Sequence, residues 1–132
     1  MTPSPLEPDR RDGGAASVEL VLATPLLGLL LMLVVQFALW AHAEHIAQAA
    51  ANSGVQTARA YRSTAEAGRQ EAVKTLDALA GSVLTDTAVT SGRDATTATV
   101  TVSGQAIDVL PGLRLPVQAR VTAPLELVGG TP

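Results

Sequence analysis

The stretch Arg10-Arg11-Asp12-Gly13-Gly14-Ala15-Ala16-Ser17-Val18-Glu19 opens an apolar run that reaches Ala43. A charged, glycine-rich head there meets a segment of membrane length, with one carboxylate just inside it. From Ala15 to Ala43 Glu19 is the only formal charge, and between Leu20 and Trp40 only Thr24 and Gln36 are strongly polar. About 21 residues at 1.5 Å each rise roughly 31 Å, which matches a bilayer's hydrocarbon core. Trp40 falls at the interface level, where amphipathic rings are enriched. An acidic side chain at mid-bilayer costs roughly 2.5–3.5 kcal/mol and less near the interface, so Glu19 reads as functional by default.

Arg10 and Arg11 stand close before this run, and the first Lys or Arg after it is Arg59. That asymmetry places the N-terminus in the cytoplasm and residues 44–132 outside, in a single pass through the cell membrane. Pro25 lies within the run. Its missing N–H removes the helical partner of the Val21 carbonyl, which predicts a kink, with the Thr24 hydroxyl available to freed backbone groups.

Beyond the run, residues 41–62 are Ala-rich and contain no Pro, so the helix continues, with a weak spot at Asn52-Ser53-Gly54. A second helix is expected near Thr64–Leu79, with Val73, Leu76 and Ala80 on one face and Gly81 as terminator. After Asp86 the residues turn to Thr, Val, Ser and Gly. Ala98, Val100 and Val102 alternate with Thr97, Thr99, Thr101 and Ser103. Val117, Ala119, Val121, Ala123 and Leu125 alternate with Gln118, Arg120 and Thr122. Period two marks half-buried strands, and Ile107 and Val109 around Asp108 make a short third candidate. Pro111-Gly112 and Leu115-Pro116 supply a turn between strands.

The expected class is α+β and pilin-like: an N-terminal transmembrane helix, a helical stem, then a small antiparallel β region. The segments are a head at 1–14, the span at 15–43, the stem at 44–85, the β region at 86–128 and a tail at 129–132.

Composition narrows the function. With 132 residues, little is left for a globular core once the head and span are set aside. Aromatics are 2% of residues (Phe37, Trp40 and Tyr61), so the core must pack with Ala, Val, Leu and Ile. A net charge of −3 gives no footprint for nucleic acid. The chain has no cysteine, hence no disulfide framework and no thiol nucleophile. His42 and His45 flank Glu44 at a spacing that can ligate metal, but no third ligand accompanies them, and solvated residues at the membrane exit are the reading adopted. Neither a nucleophile elbow nor a phosphate loop is present. The expectation is no enzyme, no cofactor and no small-molecule substrate.

Gly14-Ala15-Ala16-Ser17-Val18-Glu19, with the acid five positions after the glycine, then Pro25 and the Ala-rich helix through Arg59-Ala60-Tyr61, resemble the TadE-like family. Its members are pseudopilins of tight-adherence (Flp-type) pilus systems. The resemblance covers residues 10–61 and is loose over 95–128. It implies a prepilin peptidase cutting between Gly14 and Ala15, and Leu20 stands where the family commonly shows an aromatic. The freed Ala15 ammonium and the Glu19 carboxylate would lie four apart on one helix face, paired within a chain or between neighbours. The partners implied are the lipid bilayer, the peptidase, other pilin-like subunits and the pilus assembly machinery. The function implied is assistance to pilus assembly.

A rival reading stays open. Ala41-His42-Ala43 fits a signal-peptidase site, which would release a secreted or membrane-anchored binding module. Against it, the apolar run exceeds the usual 7–15 residues of a signal peptide and contains Glu19.

Overall fold

The computed structural model describes residues 10–127. The expected tail at 129–132, residue 128 of the expected β region and residues 1–9 of the expected head lie outside the described residues. The elements are helix α1 (Arg10–Arg59), helix α2 (Ala65–Leu79), and strands β1 (Leu84–Arg93), β2 (Thr97–Ala106) and β3 (Pro116–Pro124). The α+β class is as expected. The chain divides into two units, one ending at Val35 and one beginning at Gln36.

The first unit is the N-terminal part of α1. Residues 10–14 are helical where an unstructured head was expected. Adding one residue to an existing helix is cheap compared with starting one, so the long apolar helix extends upstream through Gly13-Gly14 despite their low propensity. Val18, Leu20, Val21, Leu22, Leu26 and Leu27 are all more than half exposed. Pro25 sits inside the helix. The Thr24 hydroxyl donates to the Leu20 carbonyl at 2.8 Å, not to the Val21 carbonyl that Pro25 deprives of a partner. The reason is helical geometry, which places a threonine hydroxyl beside the carbonyl four residues back.

The second unit is a three-stranded antiparallel sheet, in the order β1-β2-β3, with helices on one face. Ala98, Val100 and Val102 of β2 and Val117 and Ala119 of β3 point into the core as their alternation predicts, Val121, Ala123 and Leu125 are partly buried against it, and Ala106 continues the β2 face. Against them lie Ala43, Ile46, Ala47, Ala50, Ala51, Val55 and Ala58 of α1, with Ala72, Leu76 and Ala80 at α2. The inward face of α2 is Gly68-Ala72-Leu76, so Ala72 takes the central place expected for Val73.

Helix α1 runs unbroken through Asn52-Ser53-Gly54. Gly54 serves packing there: a Cβ on it would lie 2.8 Å from the Gly68 carbonyl oxygen. Ser53 donates to Glu71 Oε1 at 3.3 Å and accepts from the Thr75 hydroxyl at 3.1 Å, which adds a polar seam.

Arg62 enters the left-handed region (φ 63) after α1 ends, and Thr64 caps α2 by accepting from the Ala67 N–H at 3.0 Å. Gly81 (φ 51) follows the C-cap Ala80, as expected for a terminator. The α1–α2 link is tied to β1, where Ser91 Oγ donates to the Ala65 carbonyl at 2.6 Å and Arg93 donates to the Ser63 carbonyl.

Two strand expectations need correction. Strand β1 was not anticipated, because Leu84-Thr-Asp-Thr-Ala-Val-Thr-Ser-Gly-Arg93 buries only Leu84 fully. It is an edge strand, bulged between Thr85 and Ala88 with Asp86 at φ 51, and such a bulge blunts an otherwise open edge. Ile107–Val109 is no strand. Its backbone is bound by Gln36, as described below.

Asp94 closes the β1–β2 turn. Its carboxylate accepts from the Thr96 N–H at 2.8 Å, the Thr97 N–H at 2.7 Å, the Thr97 hydroxyl at 3.0 Å and the Thr96 hydroxyl at 3.2 Å. These bonds, the Thr96 N–H foremost, pull its pKa from 3.8 to about 2. A pKa lower in the folded state means stability present in full above the ordinary carboxylate range and lost as pH falls toward 2. The expected result is that wild type melts above Asp94→Ala at pH 5 and that the gap closes between about pH 4 and pH 2. A gap independent of pH, measured by circular dichroism, overturns this role.

Candidate functional site

Two places on α1 carry the residues singled out by sequence. The first is the N-terminal stretch Gly14–Glu19. Gly14, Ala15 and Glu19 all lie on exposed helix, and a Cβ on Gly14 would meet nothing within 4 Å. Ala15 and Glu19 are four apart in that helix, so they share a face. Glu19 stands among exposed Val18, Leu20, Val21 and Leu22. Among the described residues it makes no ion pair; the pair present is Arg69–Glu66, on the surface of α2. Gly14 and Ala15 are helical here, so a protease that binds extended backbone must first unwind this turn. Two glycines, about 1 kcal/mol each poorer than Ala in a helix, lower that cost.

The second place is the turn of α1 at Gln36–Trp40. Gln36 is fully buried. Its Nε2 donates to the Ile107 carbonyl at 3.0 Å, and its Oε1 accepts from the Val109 N–H at 2.6 Å and the Leu110 N–H at 3.4 Å. One turn on, Trp40 Nε1 donates to the Pro116 carbonyl at 3.0 Å. Gln36 thus clasps the β2–β3 loop by its backbone, and Trp40 holds the first residue of β3 beside it. Sequence reading placed Gln36 in the span and Trp40 at its interface; the structure gives both a protein partner. The signal was a lone amide in an apolar run, since such a group needs a partner for both its ends.

The loop so held is Ile107-Asp-Val-Leu-Pro-Gly-Leu-Arg-Leu115. Leu113 N–H donates to the Leu110 carbonyl at 3.1 Å, and Gly112 has φ 82. Proline second and a left-handed glycine third make a type II turn.

The remaining candidates stay apart from these. His42 and His45 are exposed and Glu44 half-buried, and among the described residues no three His, Asp or Glu side chains converge on a metal-sized point. A shallow polar groove runs along Thr90, Arg93, Thr99, Thr101 and Arg120 on the outer sheet face. Asp94 at its rim is fully engaged by the turn. Ala43, the residue before the alternative signal-peptidase cut, is fully buried inside α1.

Residues 14–56 match the model of the family described as TadE-like protein. The match starts at Gly14, ends within α1, and leaves α2 and the sheet outside it. Curated proteins and solved structures give no match to this chain. Helix α1 is long and apolar enough to cross a membrane. The matched segment and this helix together fit a pilus-associated membrane protein.

Proposed function

We infer that the chain is a pseudopilin: a single-pass membrane protein that assists assembly of a tight-adherence (Flp-type) pilus. A prepilin peptidase removes residues 1–14 on the cytoplasmic side, leaving Ala15 as the new N-terminus. The apolar part of α1 stays in the bilayer, and the sheet lies outside the cell. Glu19 then pairs with an Ala15 ammonium, its own or a neighbouring subunit's, which offsets the cost of a carboxylate near lipid. Pairing between chains would set neighbouring subunits in register. The other partners in this reading are pilin-like subunits and the assembly machinery. It requires no reaction, cofactor or small-molecule substrate of its own.

The observation that carries the reading is the coincidence at one point of a family match beginning at Gly14, a membrane-length apolar helix, and an exposed acid within its second turn after Gly14. The rival signal-peptide reading fares worse on the same structure. A cut after Ala43 would open α1 in the core and remove Gln36 and Trp40, which hold the β2–β3 loop.

The test is mass spectrometry of the mature N-terminus from cells with and without the prepilin peptidase. The expected peptide begins at Ala15 and disappears without the peptidase. A start at Glu44 overturns the reading in favour of secretion. An intact Met1 in both strains removes processing, and with it the pairing assigned to Glu19.

A further inference from the structure

We propose that the β2–β3 loop is a membrane-contacting element whose apolar turn, Leu110-Pro111-Gly112-Leu113, seats in the headgroup layer where α1 leaves the bilayer. This rests on the membrane anchoring argued above.

Gln36 binds the backbone of Ile107, Val109 and Leu110, so the loop is fixed to α1 at that turn. The exposed apolar run on α1 leads directly to it in sequence, through Val34 and Val35, and Phe37 beside Gln36 is itself 53% exposed. In the anchoring argued above the bilayer ends near Gln36, so a loop held by that residue lies near the headgroups. Its composition suits that place: Val109 to Leu113 carry no charge and no polar side chain, Pro111 and Gly112 are exposed, and Leu110 and Leu113 are half-exposed. Charges frame the turn, with exposed Asp108 before it and exposed Arg114 after it. An ionised Asp108 is costly in hydrocarbon, so it holds the base of the loop at the polar boundary. Arg114 can lay its stem on apolar surface and keep its guanidinium among headgroups. Apolar residues of interfacial elements enter only about 5–10 Å, the scale of one four-residue turn.

The chain has no cysteine, so single-cysteine variants can be labelled specifically. The full chain would be placed in phosphatidylcholine–phosphatidylglycerol vesicles and labelled with an environment-sensitive fluorophore at Pro111→Cys, Leu113→Cys, Ala95→Cys or Leu27→Cys. Ala95 is an exposed control in the β1–β2 turn, at the far end of β2 from the loop. Nitroxides on the lipid, near the headgroup or near the bilayer centre, act as quenchers. Unchanged Trp40 emission in each variant establishes that the loop is still clasped.

The proposal expects the headgroup-level nitroxide to quench Pro111 and Leu113 labels by about half or more and to leave Ala95 unaffected. Quenching of Leu27 by the deep nitroxide with none at Pro111 or Leu113 keeps the anchoring and overturns the loop contact. A blue-shifted but unquenched loop label means another copy of the chain covers it, and also overturns the lipid assignment. No quenching at Leu27 overturns the anchoring and the loop proposal together.

Discussion

Gln36→Leu is expected to lower the unfolding free energy of the second unit by about 2–4 kcal/mol. Leucine nearly matches glutamine in size, so the substitution opens little space. What it removes is one donor and one acceptor. The Ile107 carbonyl and the Val109 N–H then lose the partners now at 3.0 Å and 2.6 Å, and Leu110 loses a weaker one at 3.4 Å. Each buried polar group left unpaired costs about 1–3 kcal/mol, and the added apolar burial returns part of it. Gln48, exposed on the same helix, is the control, and Gln48→Leu is expected within about 0.5 kcal/mol of wild type. Denaturant titration of the full chain in micelles measures both. Trp40, the single tryptophan, sits one turn from Gln36 with its indole bonded to Pro116 where the loop enters β3, so its fluorescence reports on the clasp. If Gln36 instead faced lipid, replacing it with leucine would leave stability unchanged or raise it. Equal midpoints for Gln36→Leu and wild type therefore reject the clasp.

Gln36 also marks where sequence reasoning reaches its limit. The apolar run, the helix beyond it and the strands β2 and β3 were legible because each repeats its pattern for several turns or alternations. The 97–103 and 117–125 segments show their inward Ala and Val at every second place, and the sheet uses them so. Strand β1 carries no such pattern. It pairs with β2 along its length, yet both its faces are largely wet, so its sequence has no apolar face to display. Ile107-Asp108-Val109 shows the converse: it alternates like a strand, but its N–H and C=O groups go to an amide 71 and 73 positions earlier. That pairing is tertiary, and no local pattern encodes it. The same holds for Asn52-Ser53-Gly54, which reads locally as a helix breaker. It is continuous helix because Gly54 lies against Gly68 and Ser53 bonds Glu71. At Gly14–Glu19 the reverse applies: the residue types and their spacing were legible, while the helical conformation of residues 10–14 was not.

The second large effect follows from that glycine contact. Gly68→Ala is expected to destabilise the second unit by about 1–2 kcal/mol, and Gly68→Val by about 3 kcal/mol or more. Helix propensity alone predicts the opposite sign for Ala, a gain of about 1 kcal/mol at a helical glycine. Space decides against it. A Cβ on Gly68 would lie 2.5 Å from Ala58 Cβ and 2.7 Å from the Gly54 carbonyl oxygen. Carbon atoms attract best at about 3.5–4.0 Å, so α1 and α2 must separate by about 1 Å or distort. The core around them is mostly Ala and Val, whose contacts depend on that close approach. Gly92→Ala on β1, where a Cβ would meet nothing within 4 Å, is the control and should change stability by less than about 0.5 kcal/mol. The glycines act on one gap from both sides, because a Cβ on Gly54 would in turn lie 2.8 Å from the Gly68 carbonyl oxygen. Once one alanine has forced the helices apart, the second finds room already made. Gly54→Ala and Gly68→Ala together should therefore cost less than the sum of the single changes, by about 0.5 kcal/mol or more. Strict additivity in that double-mutant cycle would mean that each glycine serves its own helix and that the gap between them is not what they share.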